Sequence, residues 1–131
     1  MERSGKNLAF LDTHVVIWLY DALASKFSKK TIDVINKCDL FISPLVLLEI
    51  EYLFEVKKIK DKPSPILASL QSSIGLKVSN TPLDKIIDVA VTLDWTRDPF
   101  DRILVAESYI NNAYFISKDK HIRKNYNLSV W

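Results

Sequence analysis

The chain has 131 residues, which is enough for one domain with a hydrophobic core and too few for two domains of ordinary size. Hydrophobic residues make up 48% of the chain and charged residues 26%, which is typical of a globular protein and excludes extended disorder. The 18 basic and 16 acidic residues give a net charge of only +2, so any contact with nucleic acid must be a local basic patch.

Two residue types are scarce enough to exclude further classes of protein. Cys38 is the single cysteine, so an intramolecular disulfide is impossible, and without a secretory apolar region the sequence indicates a reducing, cytoplasmic setting. Gly5 and Gly75 are the only glycines, too few for a dinucleotide-binding or phosphate-binding loop. We expect no membrane span, because Asp12 and His14 interrupt the N-terminal apolar run well before the roughly 18–20 residues needed to cross a bilayer.

Short β-rich runs alternate with helical patterns along the chain. The predicted strands are residues 7–11, 39–43, 75–80, 113–117 and 128–131. The clearest helical pattern covers residues 83–91, where apolar side chains recur at the spacing of one helix face. This alternation predicts βαβ units, and therefore an α/β fold with a mostly parallel sheet and helices on both faces.

Three predicted helices begin with a capping residue followed by proline. The pairs are Ser43 with Pro44, Thr81 with Pro82, and Asp98 with Pro99. The side-chain oxygen of the first residue can accept a hydrogen bond from an unpaired helical N–H, and proline at the first helical position has no N–H to leave unpaired. Thr81 and Asp84 together also resemble a capping box. The lysine-rich segment 55–65 is predicted to be a helix end and a loop.

Four acids occur where strands end or helices begin, and a parallel sheet would bring them to one edge. Asp12 ends the first predicted strand, Asp119 follows the fourth, and Glu49 and Asp101 lie in the helices that begin with a serine or an aspartate before proline. Two carboxylates about 4 Å apart repel by about 4 kcal/mol at an effective dielectric constant near 20, so such a cluster takes up protons or binds a cation. Mg²⁺ or Mn²⁺ fits an all-oxygen site and can activate water against a phosphodiester.

Each acid also has a simpler explanation. Asp12 fits the N-cap of a following helix as well as it fits a metal site, Asp101 would interact favourably with a helix dipole, and Asp119 could form a turn. Glu49 shares an apolar helical stripe, where an unpaired carboxylate is costly, although Glu51 fits that stripe nearly as well.

Four segments, taken in order, resemble the PIN-domain family, and in particular its VapC-like toxin branch. They are FLDTHVVIWL, ISPLVLLEIEYL, LDWTRDPFDRILVAES and FISKDKHIRKNY with the terminal VW, and the resemblance spans residues 8–131. The resemblance implies a three-layer α/β/α sandwich and a metal-dependent endoribonuclease. It also implies an RNA substrate, a cognate antitoxin that holds the toxin inactive, and a homodimer.

The resemblance assigns roles to individual residues. The family's acids correspond to Asp12, Glu49, Asp101 and Asp119, which would bind one or two Mg²⁺ or Mn²⁺ ions, while Glu49 could instead help to deprotonate the attacking water. The residues expected to orient ligands or water are Thr13, Ser43, Asp98 and Ser117. The cations expected to hold RNA phosphates are Arg97, Arg102, Lys118 and Lys120, although salt bridging or solvation explains each of them equally well.

Departures from the family pattern leave all four acids in place. Lys118 stands where family members often have a smaller or acidic residue, and Ser108 replaces a common alanine. Residues 1–7 are expected to be a flexible N-terminal extension, with residues 8–131 as the single domain. His14 is expected to be a structural residue, and His121 is expected on the surface.

Two other functions compete with the nuclease. A PIN-like fold could act as a binding or scaffolding module whose acids cap helices, although caps alone would not require acids after both strands. A phosphoacceptor receiver domain would need an acidic pair near the first strand, and the segment GKNLAFLD contains none.

Overall fold

Five strands form one parallel sheet in the computed structural model, which describes residues 7–131. The strands are β1 (Leu8–Leu11), β2 (Asp39–Ile42), β3 (Lys77–Val78), β4 (Tyr114–Ile116) and β5 (Ser129–Val130). Their order is β3-β2-β1-β4-β5, and every neighbouring pair is parallel. The predicted α/β fold with a parallel sheet is therefore confirmed. Residues 1–6 of the predicted extension lie outside the described part of the chain.

Seven α-helices connect these strands within residues 7–131. They are α1 (Thr13–Tyr20), α2 (Lys29–Lys37), α3 (Pro44–Glu55), α4 (Pro63–Ile74), α5 (Leu83–Ala90), α6 (Pro99–Ile110) and α7 (Lys120–Asn125). The connections from β1 to β2 to β3 run in one direction across the sheet, and those from β3 to β4 to β5 run in the other. Because parallel crossovers are right-handed, the two sets of helices cover opposite faces and form the α/β/α layers. Within the described part of the chain, no helix is long and apolar enough to span a membrane.

The central strands are buried on both faces. Ala9 and Leu11 of β1, Ile42 of β2 and Ile116 of β4 are fully buried. Parallel sheets covered by helices have such continuous apolar strands, which explains why these runs show no polar alternation. The site residues that follow the strands therefore extend from a well-packed core.

Two of the three predicted helix starts are confirmed. Helix α3 begins at Pro44, and the hydroxyl of Ser43 accepts from the backbone N–H of Leu45 at 3.2 Å. Helix α6 begins at Pro99 with Asp98 as its N-cap. The predicted loop over residues 55–65 is wrong at its end, because α4 already begins at Pro63.

The predicted start of α5 is also wrong. The helix begins at Leu83, Pro82 occupies the N-cap position, and no side chain caps the helix. The hydroxyl of Thr81 instead accepts from the Asn111 side-chain amide at 2.9 Å and lies 2.9 Å from the hydroxyl of Ser79. A tertiary contact with the end of α6 has thus replaced the expected local cap.

The sheet has a topological switch point between β1 and β4, because these neighbouring strands are followed by connections that leave in opposite directions. Leu11 is paired with Ile116 at the carboxyl ends of the two strands. Open α/β sheets bind ligands in the crevice outside such a point. The residues immediately after these ends are Asp12 and Ser117.

Candidate active site at the carboxyl edge of the sheet

Asp12 is held at the switch point by contacts with both strands. Its backbone N–H donates to the carbonyl of Ile116 at 3.0 Å, and its carboxylate accepts from the backbone N–H of Thr13 at 2.8 Å. The buried hydroxyl of Ser117 donates to the other carboxylate oxygen at 2.7 Å and accepts from the N–H of Asp119 at 3.0 Å. This one hydroxyl therefore links the acids that follow β1 and β4. Asp12 is also the N-cap of α1, so its capping role is observed and its role in a metal site stays a prediction.

Glu49 joins the site through Thr13. The hydroxyl of Thr13, which is buried, donates to Oε1 of Glu49 at 2.7 Å. Glu49 is half-buried in the second turn of α3, at a helical position that faces the start of α1. Glu51, which fits the same helical stripe nearly as well, makes no such contact within residues 7–131. The structure therefore connects Glu49, and not Glu51, to the site.

The start of α6 supplies two further acids. Asp98 accepts hydrogen bonds from the backbone N–H groups of Phe100 at 2.9 Å and Asp101 at 3.3 Å. Asp101 is the third helical residue and is half-buried. Its carboxylate makes no hydrogen bond and no salt bridge with any other residue in the range 7–131. The carboxylate of Asp98 therefore has hydrogen-bond donors in the helix that it caps, whereas the carboxylate of Asp101 has none among residues 7–131.

The electrostatics show that the five acids converge. The pKa of Asp101 is raised from 3.8 to about 7, mainly by burial and then, in decreasing order, by repulsion from Asp98, Asp12, Asp119 and Glu49. We call these five residues the acid cluster. Burial also raises the pKa of Asp12, although the hydrogen bonds from Ser117 and Thr13 act to lower it. Burial likewise raises the pKa of Glu49, although the hydrogen bond from Thr13 acts to lower it.

The acid cluster is not a preassembled coordination sphere. Among residues 7–131, no three or more His, Cys, Asp or Glu side chains are already grouped so that they could hold a metal ion. The donors that the cluster offers are carboxylate oxygens, which suit a hard divalent cation better than a soft one. The cluster's chemistry therefore fits such a cation, although its described side chains are not grouped around a common point.

An open cavity of about 370 Å³ adjoins the acid cluster. It is lined by Asp12, His14, Val15, Trp18, Lys118 and Asp119. His14 and Trp18 are one turn apart on α1, and the sequence interpretation did not identify Trp18 at all. Counting one helical turn on from His14 was the signal that could have found it, because residues spaced by four lie on one face of a helix.

Comparison with known proteins decides the family. The sequence model of the PIN domain matches residues 9–128, nearly the whole chain. The chain belongs to the PIN domain family. A comparison with curated proteins gave no significant match.

Solved structures share the fold of this PIN domain at low sequence identity. VapBC2 from Rickettsia felis, bound to a DNA fragment from its promoter, is 16% identical with a TM-score of 0.66, and the match covers 95% of this chain and 97% of that one. A toxin-antitoxin complex from Klebsiella pneumoniae is 15% identical with a TM-score of 0.64, covering 94% and 96%. PAE2754 from Pyrobaculum aerophilum is 16% identical with a TM-score of 0.64, covering 98% and 91%.

The four predicted phosphate-binding cations of the PIN domain lie in different surroundings. Lys118 lines the cavity beside Asp12 and Asp119, whereas Arg97 and Lys120 are exposed. Arg102 donates from Nε to the carbonyl of Thr96 at 2.8 Å, and its side chain lines a groove between α5 and α6. Of these four, Lys118 is therefore the residue that shares a cavity with the acids.

Two polar residues of the PIN domain lie apart from the acid cluster. Ser43 is buried and caps α3 without a contact to any cluster acid within residues 7–131. Glu107 on α6 is fully buried, and neither of its carboxylate oxygens has a hydrogen-bond partner in the described part of the chain. Glu107 does not contribute to the raised pKa of any cluster acid. The sequence interpretation missed this buried acid.

Proposed function

We propose that this PIN domain is a metal-dependent endoribonuclease that hydrolyses RNA phosphodiester bonds. The observation that carries the proposal is Asp101, a half-buried carboxyl group whose pKa is raised to about 7 by burial and by four neighbouring acids. Its carboxylate has no hydrogen-bond donor among residues 7–131. Such a group is stabilised by a cation, and membership of a family whose members are typically nucleases supports the same conclusion.

The residues that would hold Mg²⁺ or Mn²⁺ are Asp12, Glu49, Asp101 and Asp119. A bound divalent ion would lower the pKa of a coordinated water and offset the negative charge on the scissile phosphate. Glu49 and Asp101 are half-buried and not enclosed in the core.

The remaining residues of the site orient groups and move protons. Ser117 and Thr13 fix the orientation of Asp12, and the Thr13 hydroxyl occupies only Oε1 of Glu49. As the alternative to binding the ion, Glu49 would accept a proton from the attacking water through Oε2.

Cations around the site would hold the RNA backbone. Lys118, which lines the cavity beside Asp12 and Asp119, would contact the phosphate nearest the acids. Lys120, Arg97 and Arg102 would bind phosphates farther along the strand. Asp98 would act indirectly, by fixing the N-terminus of α6 that carries Asp101.

We also propose that the protein is the toxin of a toxin-antitoxin pair, acting in the cytoplasm as a homodimer. Two of the similar structures are a VapBC complex and a toxin-antitoxin complex, which supports a protein antitoxin as the partner.

Expression in bacteria should arrest growth with the wild type and not with Asp101→Asn. Light scattering should give twice the chain mass of 15.1 kDa, and the mass of one chain would contradict the dimer.

A second candidate function is a binding or scaffolding module without catalysis. It is favoured by one feature, namely that Asp12, Asp98 and Asp119 all cap helices. That role explains three of the acids, but it does not explain Asp101 or Glu49.

RNA cleavage tests the proposed function. The wild type should cleave RNA in the presence of Mg²⁺ or Mn²⁺, and cleavage should stop when EDTA is added. Asp101→Asn should lower kcat/KM by about 100-fold or more while the protein stays folded. Asp88→Asn is the matched control, because Asp88 is exposed on α5 and affects the pKa of no cluster acid. Full activity in Asp101→Asn, or cleavage that is unchanged by EDTA, would contradict the proposal.

A further inference from the structure

The connection between α3 and α4 is a basic loop that the proposed active site does not use. Residues 57–62, which we call the lysine loop, contain four lysines and one aspartate and therefore carry a charge of +3, whereas the whole chain carries +2. All four lysines are exposed, and none forms a salt bridge with a carboxylate of the described residues. Such a concentration of unneutralised positive charge favours an anionic ligand.

The backbone of the lysine loop is fixed at both ends. At its start, the N–H groups of Lys57 and Lys58 donate to carbonyls in the last turns of α3 at 3.0 Å and 2.9 Å. Near its end, the hydroxyl of Tyr20 donates to the carboxylate of Asp61 at 2.7 Å and connects the loop to the last residue of α1. Because the loop is already ordered, binding a ligand to it would cost little conformational entropy.

The lysine loop lies about one helix length from the acid cluster. Tyr20, which contacts the loop, is eight residues beyond Asp12 on α1. Lys57 is eight residues beyond Glu49, at the end of α3. At a rise of 1.5 Å per residue, each of these paths is about 12 Å long. A nucleic acid strand that extends beyond the acid cluster can therefore reach the loop.

A groove of about 350 Å³ lies between the lysine loop and the end of α1. The charged residues that line it are Lys58, Lys60, Asp21 and Asp61. Lys57 and Lys62 lie outside this lining and add to the positive charge around it, so the lysines outnumber the acids. Lysine contacts phosphate as a point charge. Because the acid cluster repels phosphate, part of the affinity for RNA must come from basic residues outside the cluster.

We infer that the lysine loop binds the phosphate backbone of RNA outside the nucleotides that are cleaved. The inference rests on the proposed RNA cleavage and adds a second contact surface for the same substrate. The charge of the loop and its distance from the acid cluster on two helices favour this ligand. The loop raises the affinity for RNA and takes no part in the cleavage step. Its contribution is independent of base sequence, because phosphate contacts do not read the bases.

The salt dependence of RNA binding tests the lysine loop directly. Fluorescence anisotropy would measure the Kd of a labelled single-stranded RNA at increasing KCl, with cleavage switched off by Asp101→Asn. Adding Lys58→Gln and Lys60→Gln together should weaken binding by roughly tenfold. The same pair should lower the slope of log Kd against log salt by roughly 1.4, because each phosphate contact contributes about 0.7. Lys58→Arg with Lys60→Arg should retain the affinity.

Two further variants serve as controls. Lys37→Gln together with Lys85→Gln removes the same charge from α2 and α5, where both lysines are exposed and outside the groove, and should leave binding and slope unchanged. Lys57→Gly separates charge from folding, because Lys57 has a φ of 63°, a conformation that glycine adopts without strain. This variant should bind RNA more weakly and have a Tm equal to or above that of the wild type.

Cleavage kinetics and an acidic peptide distinguish the possible failures. In the otherwise wild-type protein, Lys58→Gln with Lys60→Gln should raise KM for RNA and leave kcat unchanged. Cleavage with an unchanged KM and an unchanged salt slope would overturn the role of the lysine loop alone. RNA binding that depends on the loop, without cleavage by the wild type, would overturn the proposed function and leave the loop as an RNA-binding surface. If the pair abolished binding of a polyglutamate peptide and did not change RNA binding, the loop would belong to an acidic protein partner and the inference would be wrong.

Discussion

Asp101 has a negative charge that no described neighbour neutralises. Burial and four acids raise its pKa from 3.8 to about 7. A carboxyl pKa that is higher in the folded state means that the folded protein binds more protons than the unfolded chain between these two values. The free energy of unfolding should therefore fall as the pH rises from about 4 to about 7. Asp12 and Glu49, whose pKa values are also raised, act in the same direction.

Asp101→Asn should remove most of this pH dependence in EDTA. At pH 8 the variant should be more stable than the wild type by about 1–2 kcal/mol, after allowance for solvent screening, because a neutral amide replaces a carboxylate that burial and the neighbouring acids destabilise. At pH 4, where Asp101 is protonated, the two proteins should unfold at nearly equal urea concentrations. An equal difference at both pH values would show that the pKa of Asp101 is not raised in the folded protein.

Of the three hydroxyl residues that the sequence predicted for the site, two contact the acid cluster and Ser43 does not. Thr13 and Ser117, expected from the family resemblance to orient ligands, make hydrogen bonds to Glu49 and Asp12. Trp18 was missed because its aromatic ring is equally compatible with core packing. Only the fold shows that its ring lies beside the acids.

Helices α1, α6 and α7 all begin with an acid of the cluster. Asp12, Asp98 and Asp119 are their N-caps, and the carboxylates of Asp98 and Asp119 each accept hydrogen bonds from two backbone N–H groups. A helix N-terminus carries a partial positive charge, which partly offsets repulsion among the acids. The same three carboxylates therefore cap helices and belong to the acid cluster.

Asp98 allows its capping role to be separated from its charge. Asp98→Ala should cost about 1 kcal/mol of stability, because the N–H groups of Phe100 and Asp101 lose their acceptor. Asp98→Asn retains an oxygen acceptor and removes a charge that repels Asp101, so its stability in EDTA should equal or exceed that of the wild type. Urea unfolding measures both variants. Equal destabilisation by Ala and Asn would contradict this account of the cap.

Strands were easier to predict than helix starts. Each observed strand lies within its predicted apolar run, because central parallel strands are buried on both faces. The start of α5 was wrong because Thr81 bonds with Asn111 instead of capping. The start of α4 was missed because Pro63 suggested a loop, although proline is compatible with the first turn of a helix.

The whole molecule brings together acids that are far apart in the chain. Asp12 and Ser117 are 105 positions apart and share a hydrogen bond, because β1 and β4 are neighbours in the sheet. Alternating strands and helices predicted a parallel sheet, and hence a common edge for the acids. The strand order that creates the switch point depends on which strands pair, and local patterns do not encode this pairing.

Thermal unfolding with increasing Mn²⁺ tests the central claim most directly, namely that the acid cluster binds a divalent cation. An ion that binds only the folded state stabilises it by roughly 2.7 kcal/mol at 100 times its Kd, which corresponds to a rise in Tm of roughly 5–10 °C for a chain of this size. We predict a saturable rise for the wild type and for the exposed control Asp88→Asn, and its loss in Asp12→Asn and Asp101→Asn. A Tm that does not change with Mn²⁺, or an equal rise in all four proteins, would contradict the account.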